Sequence, residues 1–138
     1  MRFLDTNVFI RFLTRDDPAK AEACRALFER LERDEETATT CEAIFVEIAY
    51  VLSARAHYGL SPEQIRDRLA PILVLPGLRL PNKRVYLRAL DIMVDHPRLD
   101  FEDAVLAGHM ERAGESNLYS YDREFDRVPG VARTEPPS

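Results

Sequence analysis

Cysteine is almost missing from the chain, and the sites and folds that depend on it go with it. Cys24 and Cys41 are the only two, widely spaced and each set among apolar or small residues. They read as reduced core thiols and exclude a disulfide framework or a metal knuckle. Long hydrophobic runs are absent too. Nothing approaches the roughly 20 apolar residues of a membrane span, and no basic N-terminal segment leads into a long apolar one. A soluble, cytoplasmic protein without a membrane partner is expected. Lysine is scarce: Lys20 and Lys83 are the only two among 19 basic residues, and the rest are arginines, whose planar fork suits phosphate. His57, His96 and His109 are scattered and read as surface or packing residues. There is no repeat, low-complexity tract or linker.

What is present suffices for one domain. A chain of 138 residues with 46% hydrophobic content is close to an ordinary domain of about 150 and can bury a real core. The formal net charge of −5 argues against a nucleic-acid partner, because phosphate binding rests on Lys and Arg. That total misleads if four of the 24 acids are gathered at one metal site, since the other 20 then nearly balance 19 bases. Composition leaves the partner open.

Along the chain, Phe3 and Leu4 form a short apolar run that delivers Asp5 to a strand end, where Thr6 and Asn7 open a helix through Val8, Phe9 and Ile10. In open α/β sheets such strand ends form the ligand crevice. Asp17-Pro18 starts a helix whose stripe is Cys24, Leu27, Phe28 and Leu31, ending near Arg33. Thr37 to Thr40 reads as a strand. A long helix is expected over 42–58 with Gly59 as its C-terminal cap. Ser61-Pro62-Glu63-Gln64 is a capping box, and Pro71 should end or kink the helix it opens. Leu73 to Leu80 is apolar and broken by Pro76-Gly77, and reads as a strand or a strand-like crossing. Tyr86, Ala89, Leu90 and Met93 mark a helix stopped before Pro97. Asp100 caps a helix to about Ala113, with Gly114 beyond it. Leu118 to Tyr121 is a strand ending at Asp122, and Pro129-Gly130 turns the chain into a brief apolar piece and a frayed tail. Strands alternating with helices predict an α/β fold with a parallel sheet covered on both faces.

Two acids stand on helix faces where a carboxylate is out of place. Glu47 falls between Ile44, Ile48 and Val51 on a helical wheel, and Asp103 shares a face with Leu106, Ala107 and Met110. A buried unpaired charge costs several kcal/mol, so each needs a partner. An intramolecular arginine would serve for Glu47, and Asp103 is equally placed to answer Asp100 as a capping acid. Asp122 repeats the placement of Asp5, and alone would be a turn or cap residue. Taken together, the four avoid isolated burial by converging on a shared cation. Clustered carboxylates without His or Cys at ligand spacing favour Mg²⁺ or Mn²⁺, and an open site of that kind hydrolyses phosphate esters.

The acids stand in Leu4-Asp5-Thr6-Asn7, Val46-Glu47-Ile48, Asp100-Phe101-Glu102-Asp103-Ala104 and Ser120-Tyr121-Asp122-Arg123-Glu124-Phe125, followed by Pro129-Gly130-Val131. In that order, over nearly the whole chain, they resemble a PIN-domain ribonuclease, specifically a VapC-type toxin of a bacterial toxin–antitoxin pair. The resemblance implies a single PIN domain over 1–138, a three-layer α/β/α fold with a short-stranded, mainly parallel central sheet. It implies that Asp5, Glu47, Asp103 and Asp122 are the catalytic and metal-holding acids, with Ser120 the hydroxyl residue before the fourth. It implies a Mg²⁺- or Mn²⁺-dependent endoribonuclease with one or two ions, one activating water and the other stabilising the leaving oxygen. The implied partners are RNA, a cognate antitoxin and a second copy in a homodimer. Where many relatives carry Asp two residues after the fourth acid, this chain has Glu124, which leaves the parts of Glu124 and Asp126 open. Asn7, Arg11 and Arg15, at i, i+4 and i+8, are either a lining for the RNA backbone or a solvated face.

Rival classes fare worse. A phosphoacceptor signalling domain needs a strand-end lysine, and Lys20 and Lys83 are placed in or near helices. A haloacid-dehalogenase-like phosphatase wants Asp-x-Asp, and Asn7 stands in the place of its second Asp. A catalytically silent PIN-like module that binds a partner protein is the alternative that remains.

Overall fold

The computed structural model describes residues 1–138. Its first strand, β1 (Arg2–Phe3), pairs in parallel with β2 (Ala38–Thr39), with Arg2 opposite Ala38 and Phe3 opposite Thr39. The pairing continues one step, because the Leu4 amide donates to the Thr39 carbonyl at 2.8 Å and the Thr40 hydroxyl to the Leu4 carbonyl at 2.7 Å. These bonds hold the chain straight up to Asp5, where α1 (Thr6–Thr14) takes over. Helix α2 (Pro18–Glu32) follows, started by Asp17, whose side chain accepts from the Lys20 amide, and by Pro18 at the first position. Helices α3 (Glu42–Ser53) and α4 (Pro62–Leu73) come after β2. These elements lie in one compact unit, Met1–Lys83. Its centre is aromatic. Phe9 of α1 sits 5.6 Å from Phe28 of α2 and 5.5 Å from Phe45 of α3 between ring centroids, both in tilted pairs.

The second unit, Arg84–Ser138, holds nearly all of α5 (Lys83–Asp95), then α6 (Phe101–Ala113), β3 (Asn117–Tyr119), a 3₁₀ turn (Arg123–Arg127) and β4 (Ala132–Thr134). Asp100 caps α6 by accepting from the Asp103 amide, and Gly114 ends it in the left-handed conformation. Gly108 lets α6 approach α5: a Cβ there would stand 3.2 Å from the Val85 carbonyl oxygen. Strands β3 and β4 pair in parallel, Leu118 opposite Arg133. The strands thus form two parallel two-stranded ribbons, one in each unit. No helix is long and apolar enough to cross a membrane.

Several expectations shift. Helix α3 ends at Ser53 rather than near Tyr58, and Gly59 instead closes a turn in which its amide donates to the Ala54 carbonyl at 3.0 Å. Pro71 does not end α4: it lies inside the helix, which runs on to Leu73. The stretch expected as a strand or strand-like crossing over 73–80 begins inside α4 at Leu73 and forms no strand of its own, but crosses beside β2 through one bridge, Leu78 beside Ala38, and through the Thr39 hydroxyl, which donates to the Arg79 carbonyl at 2.6 Å. Pro76 lacks an amide to donate, which limits any ladder to the residues beyond it. Cys41 is exposed and Cys24 half-buried, so only the latter approaches a core thiol, and burial pushes it up.

Candidate active site

Asp5 occupies the position before α1, with extended backbone angles, yet its side chain makes no capping bond to the helix. Its carboxylate is exposed and not spent on structure in the way most acids at that position are. The next residue, Thr6, is buried, and its hydroxyl donates to Oε2 of Glu47 at 2.9 Å. That bond spans 41 residues and ties the start of α1 to the middle of α3. Within the first unit, therefore, Glu47 is anchored one residue away from Asp5.

Glu47 itself corrects the reading of its helix. It is exposed, not turned into the apolar stripe. The buried residues of α3 are Phe45, Ile48, Ala49 and Leu52. At 100° per residue the centre of that stripe lies about 150° from Glu47. Ile44 and Val51, which flank Glu47 on the helical wheel, are half-buried at the edge of the stripe. No arginine is needed to make Glu47 tolerable there.

In the second unit Asp103 is half-buried on the first turn of α6. Its carboxyl is lifted from 3.8 to about 6, first by burial, then by the negative charge of Asp100 and a hydrogen bond with it, and by the charges of Asp122 and Glu102. Burial and like charge both favour the neutral acid, so this group keeps its proton to higher pH than an ordinary aspartate, up to about 6. Asp122, exposed, heads the 3₁₀ turn: its amide donates to the Ser120 Oγ at 3.0 Å and its Oδ1 accepts from the Glu124 amide at 2.9 Å. Ser120 thus orients the backbone of Asp122 rather than standing apart from it.

Glu124 and Asp126 take separate duties. Glu124 pairs with Arg98 at 3.7 Å. Asp126 receives a two-pronged contact from Arg133, Nε to Oδ1 at 2.9 Å and Nη2 to Oδ2 at 3.2 Å. The basic line on α1 also breaks up. Arg15 leaves the helix in the left-handed conformation, so the i+8 alignment with Asn7 is lost. Arg11 bears on Asp16 and Cys24 and Arg15 on Glu22, a pattern of local charge balance. No group of three or more His, Cys, Asp or Glu side chains is placed to hold a metal ion.

Thr6, Arg98 and Arg133 were not singled out from sequence. Thr6 carried a usable signal, a hydroxyl directly after a strand-end acid. Arg133 carried a weaker one, a lone charge in the middle of a short strand.

Residues 2–131 match the PIN domain family, so the chain belongs to it. Its six helices and short parallel strands are consistent with a three-layer α/β/α PIN-like fold. PIN domains are generally nucleases, which makes this a nuclease-type fold and, in broad terms, a hydrolase; the family's members typically use divalent metals. No individually curated protein matches the chain.

Proposed function

We propose that the protein is a Mg²⁺- or Mn²⁺-dependent endoribonuclease and the toxin of a VapBC-type toxin–antitoxin pair. The observation that carries the catalytic part is Asp103, a carboxyl half-buried among the charges of Asp100, Asp122 and Glu102 in a nuclease-type fold. An arrangement of acids that repel one another is kept at a cost in stability, and a cation relieves it. The donors are carboxylate oxygens, which fit a hard divalent ion. Asp5, Glu47, Asp103 and Asp122 would hold it. When bound, the ion supplies Lewis-acid activation of water and neutralises charge at the phosphate. The chain's own work is positioning: the Thr6 hydroxyl steadies Glu47, the β1–β2 bonds at Leu4 aim Asp5, and Ser120 orients Asp122. RNA is the substrate, a homodimer the assembly, and a small antitoxin the partner that silences it by covering the acids, placing an arginine among them.

A silent PIN-like module that only binds a protein is the second reading, favoured by the lack of any group of three acids placed for a metal. Incubating the purified protein with single-stranded RNA, with Mg²⁺ and with excess chelator, separates the two. Internal cleavage that the chelator abolishes is expected. Intact RNA at millimolar Mg²⁺ and Mn²⁺ would leave only the silent module.

A further inference from the structure

Arg133 sits at the centre of β4 with its side chain only 12% exposed. The side chain lies along the protein surface, and its planar guanidinium spends its donors on a single stretch of chain. Nε and Nη2 fork onto both carboxylate oxygens of Asp126, and Nη1 donates to the Ser120 carbonyl at 2.9 Å. Glu135 adds a charge at 3.8 Å. Ser120 and Asp126 are the two ends of the segment that contains Asp122. The same segment is tied at Ser120 by its amide, which donates to the Thr134 carbonyl at 3.0 Å. It is closed internally by the Asp122 and Glu124 amide bonds.

We propose that Arg133 is the positioning residue of the Asp122 corner: its fork reserves Asp126 for the arginine and fixes the Ser120–Asp126 segment so that Asp122 is presented to the cation in one orientation. This rests on the metal-nuclease reading for its consequence, though not for its geometry. A loop with both ends tied has little conformational freedom left to lose when a ligand binds, and residues that orient metal ligands typically change metal affinity 10–100-fold when removed. Lysine cannot replace the arginine fully, because one ammonium does not span Asp126 and the Ser120 carbonyl as a planar fork does.

The test uses the full chain and the variants R133K, R133M, D126N and R133M/D126N, with circular dichroism fixing a temperature at which each is folded. In the metal-free protein, amide exchange at Asp122 and Glu124 should quicken about tenfold in R133M, and Mn²⁺ affinity by calorimetry should weaken by about 10-fold or more. On RNA the loss should fall on kcat with KM unchanged. D126N should move every readout in the same direction, the double variant should be no worse than R133M, and R133K should restore part of the effect. R133M with wild-type exchange and Mn²⁺ affinity would overturn the proposal. So would a D126N variant that abolishes Mn²⁺ binding while R133M retains it, which would make Asp126 a ligand. If R133M does not fold, R133K and D126N decide the matter through the same exchange and affinity measurements. Should the wild type neither bind Mn²⁺ nor cleave RNA, the nuclease reading has failed, and amide exchange still decides whether the clamp exists.

Discussion

Asp103 is the residue on which the charge balance of the second unit turns. Its folded-state value is raised to about 6 against 3.8, so the folded protein binds a proton there that the unfolded chain releases. The sign follows: this group opposes folding above about pH 6, and its unfavourable contribution fades as pH falls through about 6 toward 4. The metal-free protein should therefore lose less stability on acidification over that window than its other carboxylates alone would dictate. In Asp103→Asn that component should vanish, and thermal melts of both proteins at half-unit pH steps check it. Asp5→Asn and Asp103→Asn should each abolish RNA cleavage while leaving the metal-free melting temperature equal or higher, because Asp103 stands under the charges of Asp100, Asp122 and Glu102 and Asp5 makes no capping bond that its loss would break. If Asp103 acted mainly within the helix cap, its replacement would cost about 1 kcal/mol and spare the chemistry. An Asp103→Asn protein that melts early yet cleaves normally would sink the assignment. The places of Asp5 before its helix and of Asp103 on the first turn of α6 were legible in the sequence, whereas the inward face given to Glu47 is reversed, since its helix buries the opposite side.

At the scale of elements, ends that rely on neighbouring residues were readable and ends that rely on packing were not. The capping box of α4 is present in full: the Gln64 amide donates to Ser61 Oγ at 3.2 Å and the Ser61 amide to Gln64 Oε1 at 2.9 Å. Ser61→Ala should lower stability by about 1 kcal/mol and leave cleavage rates at saturating metal unchanged. Gly77 is a different case. Any Cβ there would stand 2.3 Å from the Glu36 carbonyl oxygen and 2.7 Å from that of Leu31. Both are backbone atoms and cannot swing aside, so Gly77→Ala should cost ~3 kcal/mol or prevent folding. Urea unfolding of the two variants beside wild type orders them. A Gly77→Ala protein as stable as wild type would mean that the segment from Gly77 to Arg79 does not run tightly beside β2.

For the whole molecule, a cation that binds only the folded chain raises its melting temperature by mass action. Millimolar Mn²⁺ or Mg²⁺ should raise it in wild type and less in Asp5→Asn or Asp122→Asn. Calorimetry without detectable Mn²⁺ binding would count decisively against a metal site. Light scattering should find a dimer, and co-expression of a small antitoxin should restore growth to cells making the protein. Monomers alone, with no protection by any neighbouring gene product, would remove the toxin–antitoxin role and leave the nuclease fold as it stands.

The sequence by itself determined the features that are settled within a turn or two of chain. These include the starts of α2, α4 and α6 at Asp17, Ser61 and Asp100, the stop at Gly114, and the delivery of Asp5 to a strand end, whereas β3 stops at Tyr119 and Asp122 heads the 3₁₀ turn instead. Caps and turns are made by side chains bonding to backbone three or four residues away, so their signals are local. The tertiary structure decided what depends on residues far along the chain. It alone chose which face of α3 is buried, gave Glu47 to a threonine 41 residues away, and made the stretch after α4 a crossing with one bridge to β2 rather than a strand. It also handed Asp126, in the 3₁₀ turn, to Arg133 on β4. Those outcomes are choices among partners that periodicity cannot rank, because a helix or strand presents several faces and the packing of the others decides which one meets water.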